Sequence, residues 1–372
     1  MRWDLFCSVV DNLGDVGVCW RLARQLVAEH GAVVRLWVDD PVSLRQLAPM
    51  LDADAAVQRL GDIEVRAWRT PFPPIEPAAI VIEAFGCKLP DSYVENMAKQ
   101  ARPPVWINLE HLSAEAWVDG VHGLPSPHPR GPLVKYFFFP GFTASTGGVL
   151  IESALVRRRQ AFQRDASGMR QFLVALGAAP AMPGETLVSL FCYPQAPLRE
   201  LLAACAAVSG PIRVISFEGT PGAQALRDWQ ADARRQGSLA GDILPFLSQD
   251  DYDQVLWACD WNIVRGEDSF VRAQLAARPL LWQAYPQTAN VLASKVHAFL
   301  DRYVSAGDLR SRLDPLWDWW NAIAPGHSLA PAWVDCINDH QAFQATAVEW
   351  SRRLEMSGGL AANLARFCAE RV

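Results

Sequence analysis

The sequence predicts an α/β protein built from two Rossmann-like domains facing a cleft. Three observations predict it. An apolar run, a polar glycine loop and an amphipathic stretch follow one another over residues 3–27. The same alternation lapses after residue 156 and restarts at residue 186. The chain has 372 residues, 51% hydrophobic and 20% charged, which suits two cores better than one.

Taken in order, residues 3–10 read as a buried strand. Val18, Leu22 and Leu26 fall at helical spacing, with Val27 beside them, and Gly31 is a helix stop. AVVRLWV at 32–38 is a second strand, and Asp39 and Asp40 precede another helical pattern. This βαβ unit puts its loop at the carboxyl end of the first strand, where open α/β sheets bind ligands. Further strands are expected at 79–82, 105–108 and 135–139. Residues 156–185, opening with VRRRQ and closing with AAPAMPGE, read as a connection between domains. Strands then recur at 186–193, 212–217, 241–244, 261–264 and 279–282, with helices at 197–208, 250–258 and 270–277 between them. Residues 341–372 are largely helical, interrupted by Ser357-Gly358-Gly359. The last helix is placed to return to the first domain.

Composition excludes several classes. A net charge of -6 gives no basic footprint, which argues against nucleic acid as a direct partner. The fifteen tryptophans are read mainly as core, because large rings are buried for their apolar area. The eight cysteines form no C-x-x-C pair and sit in apolar runs, where a thiol behaves as a small hydrophobe. The seven histidines lack metal-ligand spacing. No basic, long apolar leader follows Met1, and no apolar run reaches the ~18–20 residues that span a bilayer. A reduced, cytoplasmic protein without a membrane partner is expected.

Two stretches carry candidate chemistry. The first is DNLGDVG at 11–17. Its two glycines, Gly14 and Gly17, do not make a dinucleotide fingerprint, although Asp39-Asp40 lies about where a ribose-binding carboxylate would sit. On the bland reading Asp11 and Asp15 cap the first helix and Asp40 caps the next. On the functional reading Asp11 and Asp15 present carboxylates to a cationic acceptor. The second stretch is RGEDSF, between a strand and a helix within residues 243–286. N–H groups at a helix start bind phosphate, Ser269 adds a hydroxyl and Arg265 a permanent cation. Glu267 would repel phosphate but can take sugar or ribose hydroxyls. An ordinary helix capped by Asp268 or Ser269 is the plain alternative. FCY at 191–193 also ends a strand, and its aromatics belong either to the core or to a donor.

WDLFCSVVDNLGDVGVCWRLARQL and RGEDSF, with LPFLSQDDYDQVLW between, resemble the EarP family of elongation factor P arginine rhamnosyltransferases. INLEHLSAEAWV and KYFFFPGFT fit it too, and the likeness runs along essentially the whole chain. The opening motif and RGEDSF are specific, whereas FCYP and LPF alone are not. The resemblance implies a GT-B glycosyltransferase fold and an inverting transfer of rhamnose from dTDP-β-L-rhamnose to an arginine of elongation factor P. It implies that the family's acidic pair falls on Asp11 and Asp15, and its donor-side residues on Arg265, Glu267, Asp268 and Ser269. It makes Phe191 and Tyr193 donor contacts and sets Phe246 and Gln249 near the thymine. It implies no cofactor and no metal, since arginine and backbone dipoles can neutralise the diphosphate leaving group.

Within that frame the acidic loop meets a guanidinium, which carboxylates attract and orient. Arginine has a pKa above about 12, so its proton leaves only as the C–N bond forms. Asp15 is the expected general base, Asp11 the orienting group, and Glu267 the third catalytic candidate. Gly14 and Gly17 let the backbone approach the sugar diphosphate. The expected domains are 1–180 on the acceptor side, completed by 358–372, and 184–352 on the donor side. Glu110 and His111 are candidates for recognising the protein acceptor, or else cap a helix or lie buried. Three alternatives stand beside this reading: the same fold with a small-molecule or glycan acceptor, a nicotinamide-dependent oxidoreductase, and a non-catalytic binder of elongation factor P.

Overall fold

The first strand is buried along nearly its whole length, and that places it mid-sheet. In β1 (Arg2–Cys7) every residue from Trp3 to Cys7 is buried. Alternate side chains feed two cores, one on each face, as a covered parallel strand requires. The structure is a computed structural model, and its described residues are 1–11, 13–129, 131–232, 239–305, 307–323 and 329–372. Asn12 of the acidic loop lies outside them. They divide into two compact units, Met1–Ser153 with Leu354–Val372, and Ala154–Arg353.

In the first unit β1 is followed by α1 (Leu13–His30), β2 (Val33–Val38), α2 (Pro41–Leu47), β3 (Val57–Leu60), β4 (Ile63–Ala67) and β5 (Ile80–Ala84). Then come α3 (Asp91–Lys99), β6 (Val105–Leu109), a 3-10 turn (Ala116–Gly120), β7 (Pro125–Pro127) and β8 (Val134–Phe138). The sheet order is β3-β4-β2-β1-β5-β6-β8-β7, with β3 and β7 antiparallel edges on an otherwise parallel sheet. One core joins Leu5, Leu36 and Ile82 to Cys19, Leu22 and Leu26 of α1. The opposite core gathers Phe6, Trp37, Tyr93 and Trp106.

The second unit begins with α4 (Leu155–Arg164) and α5 (Ala166–Ala175), then β9 (Thr186–Leu190), α6 (Leu198–Ala206), β10 (Ile212–Phe217) and α7 (Pro221–Ala231). It continues with β11 (Leu239–Leu244), α8 (Gln249–Ala258), β12 (Trp261–Arg265), α9 (Asp268–Leu275) and β13 (Leu280–Gln283). The helices α10 (Ala289–Tyr303), α11 (Asp308–Trp320), α12 (Leu329–Asn338) and α13 (His340–Met356) follow, and α14 (Leu360–Ala369) ends the chain. The sheet is wholly parallel, in the order β11-β10-β9-β12-β13. Among the described residues no helix is long and apolar enough to cross a membrane. All eight cysteines are buried free thiols.

Residues 154–180 depart from the expected domain boundary, because they pack with the second unit. Leu173 and Ala178 share a core with Leu187, Ile215, Phe217 and Leu244. Arg159 of α4 donates to the carbonyl of Leu275 at 2.6 Å, and Gln163 donates to those of Trp257 and Ala276. α14 belongs to the first unit, where Leu360, Ala361, Leu364 and Cys368 enter the α1 core. Two glycines admit it. A Cβ on Gly147 would stand 3.1 Å from Leu360 Cδ1, and one on Gly148 would stand 2.5 Å from the Gly358 carbonyl just before the helix.

The first expected strand also runs short. β1 ends at Cys7, because the next polar groups are taken by carboxylates rather than by a neighbouring strand. The helix begins at Leu13, so Gly14, Asp15 and Gly17 lie inside its first turns.

Candidate functional site

Each sheet has one place where chain order reverses. In the first unit β1 pairs with β2 on one side and β5 on the other. In the second, β9 lies between β10 and β12. Helices on either side of such a switch point leave a crevice at the strands' carboxyl ends, where open α/β sheets bind ligands. DNLGDVG follows β1, FCY follows β9, and RGEDSF runs off the end of β12. Both chemical stretches therefore sit at switch points of their own units.

In the first unit Asp15 is 5% exposed and closes the loop onto the helix. Its Oδ2 accepts the backbone N–H groups of Val10 and Asp11, each at 2.8 Å. That is a backward cap, from the first helical turn to the preceding loop. It leaves Oδ1 as the oxygen not spent on these two bonds. Asp11 is half-buried and reaches across Gly14: a Cβ there would stand 2.7 Å from Asp11 Oδ2. Gly14 is thus needed for the carboxylate's position over the helix start, a reason the loop's composition did not reveal.

Asp39 and Asp40 divide two jobs. Asp40 caps α2, accepting from the N–H groups of Val42 and Ser43. Asp39 accepts from the Ser8 hydroxyl at 2.5 Å and the Val9 N–H at 2.9 Å. Both carboxylates of the supposed ribose-binding pair are engaged with protein groups. Sequence reading missed the role of Asp39 because the contact spans 31 residues.

At the neighbouring strand ends, Phe85 and Gly86 both hold left-handed backbone, with φ of 56° and 68°. For phenylalanine that is a strained conformation of the kind that clusters at functional sites. The Phe85 ring stacks on His111 at 4.4 Å between centroids. Glu110 accepts from Asn108 Nδ2 at 2.6 Å, and burial raises its carboxyl pKa against the pull of His111. Glu83, also buried, is raised for the same reason, opposed by Lys135. Its Oε2 accepts from Trp106 Nε1 at 3.0 Å.

In the second unit the Arg265 guanidinium lies over two rings, 4.7 Å from the Phe191 centroid and 4.4 Å from that of Tyr193. The stacked plane is held by cation–π attraction, which fixes where its N–H fork points. Gly266 takes φ of 64°, which turns the chain from strand to helix, and its carbonyl accepts from Trp282 Nε1 at 2.8 Å. Glu267 stands at the N-cap of α9, and its side chain makes no capping hydrogen bond. A helix start carries positive potential. Asp268 does not cap the helix; its Oδ2 accepts from Gln249 Nε2 at 3.3 Å. Ser269 lies next to the buried Tyr252 hydroxyl, whose pKa is raised by that burial.

Tyr252 packs edge-on against Phe191 and Phe217, so Phe191 is both part of a core and a wall for Arg265. Gln249 is 7% exposed, whereas Phe246 is 46% exposed on the approach to α8. The fold thus gathers Phe191, Tyr193, Gln249, Arg265, Asp268 and Ser269 into one contact network. Tyr252 and Gln283 were missed. Gln283 Oε1 accepts the Tyr193 N–H at 2.7 Å and holds FCY in place. Its position, at the end of a strand adjacent to β12, was the available signal. Among the described residues no group of three or more His, Cys, Asp or Glu side chains could hold a metal ion.

Comparison with known proteins places this arrangement. The sequence model of the family described as "Elongation-Factor P (EF-P) rhamnosyltransferase EarP" matches residues 3–369. The chain is 46% identical over 374 residues to a protein-arginine rhamnosyltransferase of Pseudomonas putida, covering 98% of each. It is 45% identical over 377 residues to one of Pseudomonas aeruginosa, covering 99% of each. A solved structure on the structural basis for EarP-mediated arginine glycosylation of translation elongation factor EF-P is 36% identical. It superposes with a TM-score of 0.68, covering 100% of this chain and 99% of that one. The oxidoreductase alternative falls with these matches, as does the non-catalytic one. A full-length family match, close relatives of one activity and two α/β units with polar loops at their switch points lead to one conclusion: the chain belongs to the EarP family, has the GT-B fold, and is a glycosyltransferase acting on protein arginine.

Proposed function

We propose that this enzyme transfers rhamnose from dTDP-β-L-rhamnose to an arginine side chain of elongation factor P, with inversion at the anomeric carbon. The observation that carries the reading is the Arg265 guanidinium clamped over Phe191 and Tyr193 beside the start of α9. A fixed cation beside a positive helix end suits the diphosphate of a nucleotide sugar, and it strengthens its hold as the leaving group gains charge. No metal is assigned a part in the step. Ser269 adds a hydroxyl donor, and Glu267 accepts from hydroxyls of the donor. Phe246 and Gln249 flank the base, with Asp268 positioning Gln249.

The acceptor guanidinium is cationic, and the β1–α1 loop offers it Asp11 and Asp15. Asp11 orients it. One guanidinium nitrogen then attacks the anomeric carbon from the face opposite the nucleotide, and the bond to the diphosphate oxygen breaks. The attacking nitrogen becomes acidic as the C–N bond forms, and its proton passes to Asp15. Oδ2 of Asp15 is occupied by two backbone donors, so Oδ1 is the oxygen assigned to receive it. The products are a rhamnosylated arginine and dTDP.

Intact mass spectrometry of elongation factor P incubated with the enzyme and dTDP-rhamnose tests the assignment. Gain of one deoxyhexose on an arginine is expected; transfer to a glycan or small molecule alone would sink it. Asp15→Asn is the informative variant, because its amide oxygen keeps the two loop bonds while the basic carboxylate is lost. Transfer is expected to fall by about 10²–10⁴-fold, with donor binding intact.

A further inference from the structure

The loop that carries Asp11 is fastened at four consecutive residues by two carboxylates. Asp15 Oδ2 accepts from the N–H groups of Val10 and Asp11. Asp39 accepts from the Ser8 hydroxyl and the Val9 N–H. The second anchor comes from a different element. Val38 pairs with Cys7 in the β1–β2 register, and the Asp39 N–H donates to the Cys7 carbonyl at 3.4 Å. Strand pairing therefore delivers Asp39 to the point where β1 stops.

Asp39 is exposed, and Val10, next to the residue it anchors, is 77% exposed. Water can satisfy Ser8 and Val9 if Asp39 is removed, so the anchor contributes little to folding. What it adds is position. Without it the loop loses both side-chain bonds at its near end, and Asp15, the residue assigned as the base, still bonds its far end.

We propose that Asp39 is a positioning residue for the transfer reaction: through Ser8 and Val9 it sets where Asp11 and Asp15 stand and so governs capture of the acceptor guanidinium. The proposal rests on the reading of Asp11 and Asp15 given above. Misplacement by about 1 Å at a reacting group costs on the order of a hundredfold in rate. Asp39→Ala is therefore expected to lower kcat/KM for elongation factor P by about ten- to a hundredfold. Asp39→Asn is expected to restore most of it, because an amide can accept from Val9 and donate to the Ser8 oxygen. Ser8→Ala should add nothing to Asp39→Ala, since both remove one anchor.

The same variants are titrated with dTDP by tryptophan fluorescence and melted. Unchanged nucleotide affinity and melting temperature, beside lost transfer rescued by the amide, support positioning. Normal transfer in Asp39→Ala overturns it, and so does a loss matched by equal losses in nucleotide binding or melting temperature. Asp15→Asn, run in parallel, separates the two readings. If it transfers normally while Asp39→Ala does not, the base assignment fails and the positioning stands.

Discussion

Asp11, Gly14 and Asp15 act as one device. The glycine opens room for one carboxylate, and the other bonds the loop that carries it. Either aspartate alone would read as a helix cap; together, Asp11 stands over Gly14, and Asp15 spends one oxygen on the loop and, in the proposed reaction, keeps the other for the proton. Arg265 is the counterpart in the second unit, where two rings set the plane of a cation. On the proposed reading, replacing it with alanine removes a charge-assisted contact to the diphosphate worth about 1.5–3 kcal/mol. Calorimetric titration of Arg265→Ala with dTDP is expected to show binding weaker by roughly ten- to a hundredfold; equal affinity would move the diphosphate elsewhere. Glu83 supplies a pH test. Burial raises its folded-state pKa above the ordinary carboxylate value. The native state therefore holds that proton more tightly than the unfolded chain. Its favourable contribution is complete below the unfolded pKa of about 4.3 and is lost as pH rises through the raised value. In Glu83→Gln that loss is absent, while the amide oxygen still accepts from Trp106. The melting temperature of the variant relative to the native protein should climb from pH 4 to pH 7; a flat difference would refute the assignment.

Elements matter here through what holds them together. α9 is fixed to α8 by Arg272, in its last turn, and Asp253, which are 1% and 3% exposed. Arg272 Nε and Nη2 donate to the two carboxylate oxygens at 2.9 and 2.5 Å. Asp253→Ala takes the bidentate carboxylate from a buried cation, at an expected cost of about 3–5 kcal/mol in urea unfolding. The exposed pair Arg227–Glu218 is the control: its alanine variant is expected to cost about 1 kcal/mol or less. Equal effects would mean that burial is not what makes the first pair matter. The strands and helices next to the chemical stretches were legible, because period-2 and period-3.6 patterns are local. The pair Arg272–Asp253 was not, since nothing local joins residues 19 apart on two helices. The hairpin of β3 and β4 was missed as well. β3 is short, half-exposed and at the sheet edge, and β4, five residues long, lacks a continuous apolar run.

On the scale of the whole chain, two α/β units carry two different charges to their strand ends: carboxylates in the first and a clamped arginine in the second. A nucleotide held by the second should protect that unit in particular. At a hundredfold excess over Kd, ligand binding stabilises by about 2.7 kcal/mol. Hydrogen exchange in the presence of dTDP is expected to slow in β9, β12 and α9, with β1 and β2 unaffected; protection of the first unit alone would overturn the donor assignment. By itself the sequence determined the α/β class, the two units, the acidic loop after the first strand and the cationic loop in the second half. Those follow from local periodicity and from residue types that carry their chemistry with them. Tertiary structure alone decided that residues 154–180 pack with the second unit and that Asp39 reaches Ser8. The reason is physical: strand order and helix docking are set by long-range burial and pairing, in which residues distant in sequence meet. Adjacent residues hold no record of which partner wins that competition.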